Sequence, residues 1–97
     1  MFRHVVLIKF VEGITEAQIE ALKTGLSTLP GLIPQLKGYK YGTDIGHQPG
    51  NFDFAIFAEL DSFEDYEIYR DDASHQALIA STIKPLIEVR AALQLPF

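Results

Sequence analysis

Phe2-Arg3-His4-Val5-Val6-Leu7-Ile8-Lys9-Phe10-Val11 is the stretch on which the architecture turns. It is dominated by Val, Ile, Leu and Phe, which favour a strand. Alternation divides it into two faces, His4, Val6, Ile8 and Phe10 on one and Arg3, Val5, Leu7 and Lys9 on the other. Both faces are apolar in the middle. A sheet with helices on one face and water on the other shows strict alternation of apolar and polar residues. This strand does not. Phe52 to Leu60 repeats the pattern, with Phe52, Phe54, Ile56, Ala58 and Leu60 on one face and Asp53, Ala55, Phe57 and Glu59 on the other. The second face again has an apolar centre and polar ends. Both sides of this sheet therefore need cover.

The remaining elements follow outward from these two strands. Glu12-Gly13 closes the first. Thr15-Glu16-Ala17-Gln18 reads as a capping box with Thr15 as N-cap, and Ile14 takes the hydrophobic-staple position. Ile19, Leu22, Leu26 and Leu29 follow at helical spacing, and Pro30-Gly31 is expected to end the helix. Lys37 to Asp44 is a second strand, with Tyr39 and Tyr41 on one face, and residues 46–51 form a loop. Ser62 caps a second helix that carries Phe63, Tyr66 and Tyr69 on its apolar side. Asp71-Asp72 is a break and a fresh cap. A short helix over about Ser74 to Ile83 and a last strand from Glu88 to Phe97 complete the chain.

The order strand, helix, strand, strand, helix, strand is the split βαβ plan, an α+β fold of ferredoxin-like type with a four-stranded antiparallel sheet. Right-handed crossovers place the helices together on one side. The other side still carries Val5, Leu7, Ala55 and Phe57. A second copy of the same sheet covers them most economically, which predicts a homodimer with these four residues at its interface. Single apolar residues on a surface are common, but these cluster on two strands expected to be neighbours.

The 97 residues allow one domain, spanning 1–97. A formal charge of -5 and scattered basic residues argue against nucleic acid or an anionic membrane as partner. Cysteine is absent, which excludes disulfides, thiolate metal sites and a cysteine nucleophile and fits the reducing cytoplasm. The apolar N-terminal run is interrupted by Lys9 and reads as a strand rather than a signal peptide. No apolar stretch approaches the roughly 20 residues of a membrane span. His47 sits in a Gly/Pro loop, and neither H-x-H nor H-E-x-x-H spacing occurs. There is no glycine-rich phosphate loop, and Ser62, Ser74 and Ser81 lack a nucleophile-elbow context. The acidic run around Asp71-Asp72 lacks EF-hand spacing. No metal and no cofactor are expected.

Arg3-His4-Val5-Val6-Leu7-Ile8-Lys9-Phe10 resembles the start of the stress-responsive α/β-barrel domain family. Thr15-Glu16-Ala17-Gln18-Ile19, Leu29-Pro30-Gly31-Leu32-Ile33-Pro34 and Tyr39-Lys40-Tyr41-Gly42-Thr43-Asp44 match it in order and spacing. In Tyr69-Arg70-Asp71-Asp72-Ala73-Ser74-His75-Gln76, Asp72-Ala73 stands where the family usually shows His-Pro. The resemblance implies a ferredoxin-like monomer in a tight dimer, a dimeric α/β barrel. Members include plant stress-associated oligomers and a plant cyclase that closes a linear polyketide by intramolecular aldol condensation.

Three residues stand out as candidates for chemistry. His4 shares a strand face with Val6, Ile8 and Phe10, directed toward the helices, and reads either as a satisfied histidine or as a donor to a substrate oxygen. Tyr69 and His75 flank the Asp71-Asp72 break, which can fold one back toward the other. The resemblance matches them to the cyclase's catalytic pair, with the histidine as base and the tyrosine hydroxyl holding the oxyanion. A neutral imidazole and a phenol suit those roles near neutral pH. Phe54 and, roughly, Leu26 stand where the cyclase has a pocket histidine and tyrosine, so this pocket is expected to be more apolar. Val6, Ile8, Leu26, Phe54, Ile56, Phe63, Tyr66 and Leu78 are expected to line or neighbour it, unless they are plain core. Such a pocket suits a small aromatic or polyketide-like ligand. Three readings follow: cofactor-free acid–base catalysis of cyclase or isomerase type, a non-catalytic ligand-binding or stress-response dimer, and a haem- or quinol-directed monooxygenase. The sequence leaves open whether the protein is an enzyme.

Overall fold

The structure, a computed structural model, describes residues 1–96. Phe97, where the sequence reading ends the last strand, lies outside the described residues. The chain runs β1 (Phe2–Phe10), α1 (Glu16–Leu32), β2 (Gly38–Thr43), β3 (Phe54–Leu60), α2 (Phe63–Asp71), α3 (Ala73–Leu78) and β4 (Ile87–Pro96). A π turn at Ile79–Ile83 and a 3-10 turn at Lys84–Leu86 join α3 to β4. The sheet order is β2-β3-β1-β4 with every neighbouring pair antiparallel. Each helical connection skips one strand, which is the ferredoxin-like α+β plan expected from the element order.

The alternation in β1 and β3 is realised as read. His4, Val6, Ile8 and Phe10 are buried against the helices, as are Phe54, Ile56, Ala58 and Leu60. Leu22, Leu26 and Leu29 of α1 close the core from above. The capping box forms: Gln18 N–H donates to Thr15 Oγ1 at 3.2 Å, and Thr15 N–H to Gln18 Oε1 at 2.9 Å.

Pro30-Gly31 does not end α1, which continues to Leu32. A proline in the last turn removes a single backbone hydrogen bond, while Ile33 N–H still reaches the Leu29 carbonyl at 2.9 Å. The stop comes from Pro34, which forces extended backbone on the residue before it, and Ile33 sits at φ -122°, ψ 94°. The helix expected over Ser74 to Ile83 is also shorter. Regular α-helix covers Ala73–Leu78, and the chain then widens into the π turn. β3 begins at Phe54 rather than Phe52, because Asp53 ties strand ends together instead of joining the ladder. Its N–H donates to the Ile8 carbonyl and its carboxylate accepts from Phe10 N–H, both at 2.9 Å.

The far face of the sheet carries Val5, Leu7 and Ala55, partly buried, and Phe57, 41% exposed. β4 extends this face: Leu93 lies opposite Val5 and Ala91 opposite Leu7, and Leu93 is 50% exposed. At one end the face turns polar, where Arg3 Nε meets Glu59 Oε2 at 2.9 Å. Among the described residues no helix is long and apolar enough to cross a membrane.

Candidate functional site

Between the sheet and α2–α3 lies a cavity of about 170 Å³. His4, Val6 and Ile8 of β1, Ile56 of β3, and Tyr66, Tyr69 and His75 line it, so seven of the residues singled out from sequence meet there. Leu26, Phe54, Phe63 and Leu78 do not. Leu26 and Phe54 are sealed in the core, with Phe54 packed on Phe10 at 5.9 Å between ring centroids. Phe63 is half exposed and packs edge-on against Phe2 at 6.0 Å, outside the cavity. Leu78 turns to α1, where a Cβ on Gly25 would collide with its Cδ1. Ile79 and Ile83, brought round by the π turn, take its place in the wall. His47 lies exposed in its loop.

The Asp71-Asp72 break does the positioning. Asp72 ends α2 at extended ψ and caps α3, its Oδ1 accepting from His75 N–H at 3.0 Å. The reversal stacks the His75 ring on Tyr69, with centroids 4.1 Å apart and planes 26° from parallel. His75 Nδ1 lies 3.2 Å from the Arg70 carbonyl oxygen. A carbonyl only accepts, so Nδ1 carries the proton and the lone pair is left on Nε2, across the ring. Burial holds the His75 imidazole below its ordinary value of 6.5, against the opposing pull of the Arg70 and Tyr69 carbonyls. It is therefore neutral at neutral pH.

His4 has the other tautomer. The Gln94 side-chain N–H donates to His4 Nδ1 at 2.9 Å, which places the imidazole proton on Nε2. Burial, helped by the positive charge of Arg90 and by His75, pushes its pKa down to about 4. His4 is thus a neutral N–H donor throughout the physiological range.

Three polar residues join the site that the sequence reading did not select, Tyr39, Arg70 and Arg90. Tyr39, from β2, places its hydroxyl 2.9 Å from that of Tyr69. Burial raises both phenols, Tyr69 to about 12 and Tyr39 further still. Either hydroxyl can donate in this bond, and with Tyr39 as the donor the Tyr69 O–H is left to donate onward. Arg90, from β4 opposite Ile8, also lines the cavity. The alternation of β2 and β4 held both signals: Tyr39 shares its register with Ala58 on the helix side, and Arg90 falls on the same side through Ile8.

The buried histidines have a consequence for stability. Unfolded, His4 titrates near 6.5, and folded near 4. Between these values the unfolded chain binds a proton that the folded chain refuses, so stability falls as pH drops through the window and is unaffected above it. The gap corresponds to about 3 kcal/mol for His4, and His75 shifts in the same direction. Urea midpoints measured from pH 7 to pH 4 should fall steeply for the wild type and less for His4→Gln. Parallel curves for the two proteins would show that His4 is not held neutral.

Among the described residues no three of His, Asp and Glu stand together as metal ligands. The sequence profile of the stress responsive A/B barrel domain matches residues 2–96. The chain belongs to this family. No curated protein matches this family member. Among solved structures it is similar to a dimeric ferredoxin-like protein of unknown function from Thermobifida fusca, at 38% identity and TM-score 0.91, over 99% of this chain and 90% of that one. A dimeric protein of unknown function from Bacteroides fragilis follows at 22% identity and TM-score 0.83, over 99% and 95%. The hydroxynitrile lyase of Passiflora edulis shares the fold of this A/B barrel domain at 21% identity and TM-score 0.84, over 97% and 90%.

Proposed function

We propose that the protein is a cytoplasmic homodimer that performs cofactor-free acid–base chemistry, cyclisation or isomerisation, on a small aromatic or polyketide-like carbonyl compound. The observation that carries this reading is the His75–Tyr69 stack in the cavity, with His75 Nδ1 fixed on the Arg70 carbonyl. The base is neutral, its tautomer is set, and an oxyanion donor lies against it.

His75 Nε2 takes a proton from the carbon beside the substrate carbonyl. The electron pair moves to the carbonyl oxygen, where Tyr69 O–H and His4 Nε2–H stabilise the enolate. The enolate carbon then attacks a second carbonyl and closes a ring, or regains a proton at another carbon and isomerises. His75 returns the proton in either case, so no redox partner is required. Size limits the substrate: a cavity of ~150 Å³ accommodates benzene, and this one is about 170 Å³. One ring or its open-chain precursor fits. The Passiflora lyase with the same fold supports reading this cavity as a place for chemistry. The dimeric relatives and the apolar far face support the homodimer.

NMR detection of α-proton exchange in D₂O, over a panel of aryl ketones and aryl β-diketones, tests the reading. Exchange above the buffer rate is expected, rising with pH and levelling off by the ordinary histidine value of 6.5. Binding without exchange across the panel would leave a ligand-binding protein instead.

A further inference from the structure

The wall of the cavity contains two cations, Arg70 and Arg90, and no carboxylate. That is unexpected in a chain with 13 acidic and 8 basic residues. Arg70 is neutralised locally: its guanidinium meets the Asp71 carboxylate at 2.9 and 3.0 Å and Glu67 at 3.6 Å. The Arg90 side chain has no ion pair and no hydrogen bond among the described residues. It is exposed while lining the cavity, so it stands at the open side. The histidines deeper in the wall are neutral, the His4 Nε2–H is a donor, and the hydrogen-bonded Tyr39 and Tyr69 hydroxyls carry no charge.

We propose that the cavity takes a ligand bearing a carboxylate, which Arg90 holds at the entrance while the ring or carbonyl end enters between His4 and Tyr69. This rests on the reading that the cavity is the substrate site, and it names the substrate class. A guanidinium is planar and pairs with a carboxylate through two parallel N–H bonds, which fixes the direction in which the ligand enters. The apolar wall of Ile79, Ile83 and Ile87 accepts the ring. The long-range influence is consistent: the Arg90 charge disfavours protonation of both His4 and His75. A bound carboxylate would cancel part of that field and so strengthen His75 as a base when substrate is present.

Calorimetry with 4-hydroxybenzoate and 4-hydroxybenzamide at pH 7 and low salt tests the proposal, because the two probes differ in charge and little in shape. The carboxylate is expected to bind about tenfold tighter than the amide, the contribution of a charged hydrogen bond at a partly solvated site. Arg90→Gln should abolish that preference and Arg90→Lys should keep part of it. Arg90 is exposed, so both variants are expected to fold, and circular dichroism checks this. Equal affinities in the wild type, a preference unchanged in Arg90→Gln, or binding of neither probe would overturn the proposal. The outcome separates from the acid–base reading. Carboxylate preference without α-proton exchange retains the anion site and removes the chemistry. Exchange without preference does the reverse.

Discussion

His75→Gln is expected to lower the proposed proton exchange by roughly 10²–10⁴-fold, the usual contribution of a positioned general base. Glutamine is chosen because its amide N–H can still donate to the Arg70 carbonyl that His75 Nδ1 faces, while it offers no nitrogen that accepts a proton. Loss of the stacked ring against Tyr69 costs about 0.5–1.5 kcal/mol of stability, which urea unfolding measures separately. Binding of 4-hydroxybenzoate should be little changed, since the carboxylate is held at Arg90. The loss therefore appears in the rate and not in the affinity. Tyr69→Phe removes the proposed oxyanion donor, along with the hydroxyl bonded to Tyr39, and is expected to cost roughly 10²–10³-fold. A His75→Gln protein that folds normally and exchanges protons at the wild-type rate would place the base elsewhere.

Phe57→Asp is expected to convert the proposed dimer to monomers. Phe57 is the large exposed residue at the middle strand pair of the far face, beside Val5 and Leu7. In a symmetric dimer every substitution occurs twice. Each copy forfeits about 1.5–3 kcal/mol of apolar burial and gains the cost of desolvating a carboxylate. The dissociation constant is expected to rise by at least ~10³-fold. Sedimentation velocity across a dilution series reads this directly, and circular dichroism confirms that the monomer keeps its fold. A Phe57→Asp dimer of unchanged affinity would move the interface off this face.

The sheet was legible because its signals are local. Two strands with apolar centres on both faces, a capping box at Thr15 and a paired-Asp break need only neighbouring residues to be read, and each is found in the structure. The end of α1 was misplaced because two prolines lay four residues apart, and only the one acting on Ile33 imposed extended backbone. Within the pocket, helical spacing assigned Leu26 and Leu78 to an inward face but not to a depth. Leu26 lies in the core, and Leu78 packs on α1. Tyr39 became a site residue through a hydroxyl contact between β2 and α2, thirty residues away, which no spacing rule predicts. Arg90 was visible as one of several scattered cations. What distinguished it was the absence of a carboxylate partner, a property of the assembled wall.

The one-residue alternation of β1 has a further consequence for how such a protein can be altered. His4, Val6 and Ile8 belong to the cavity side, while Val5 and Leu7 belong to the opposite side of the same strand. Adjacent codons thus write to two surfaces on opposite sides of one backbone. A library confined to positions 4, 6, 8 and 56 reshapes the chamber, and one confined to odd positions of β1 and β3 reshapes the outer skin. Each can be searched without rewriting the other.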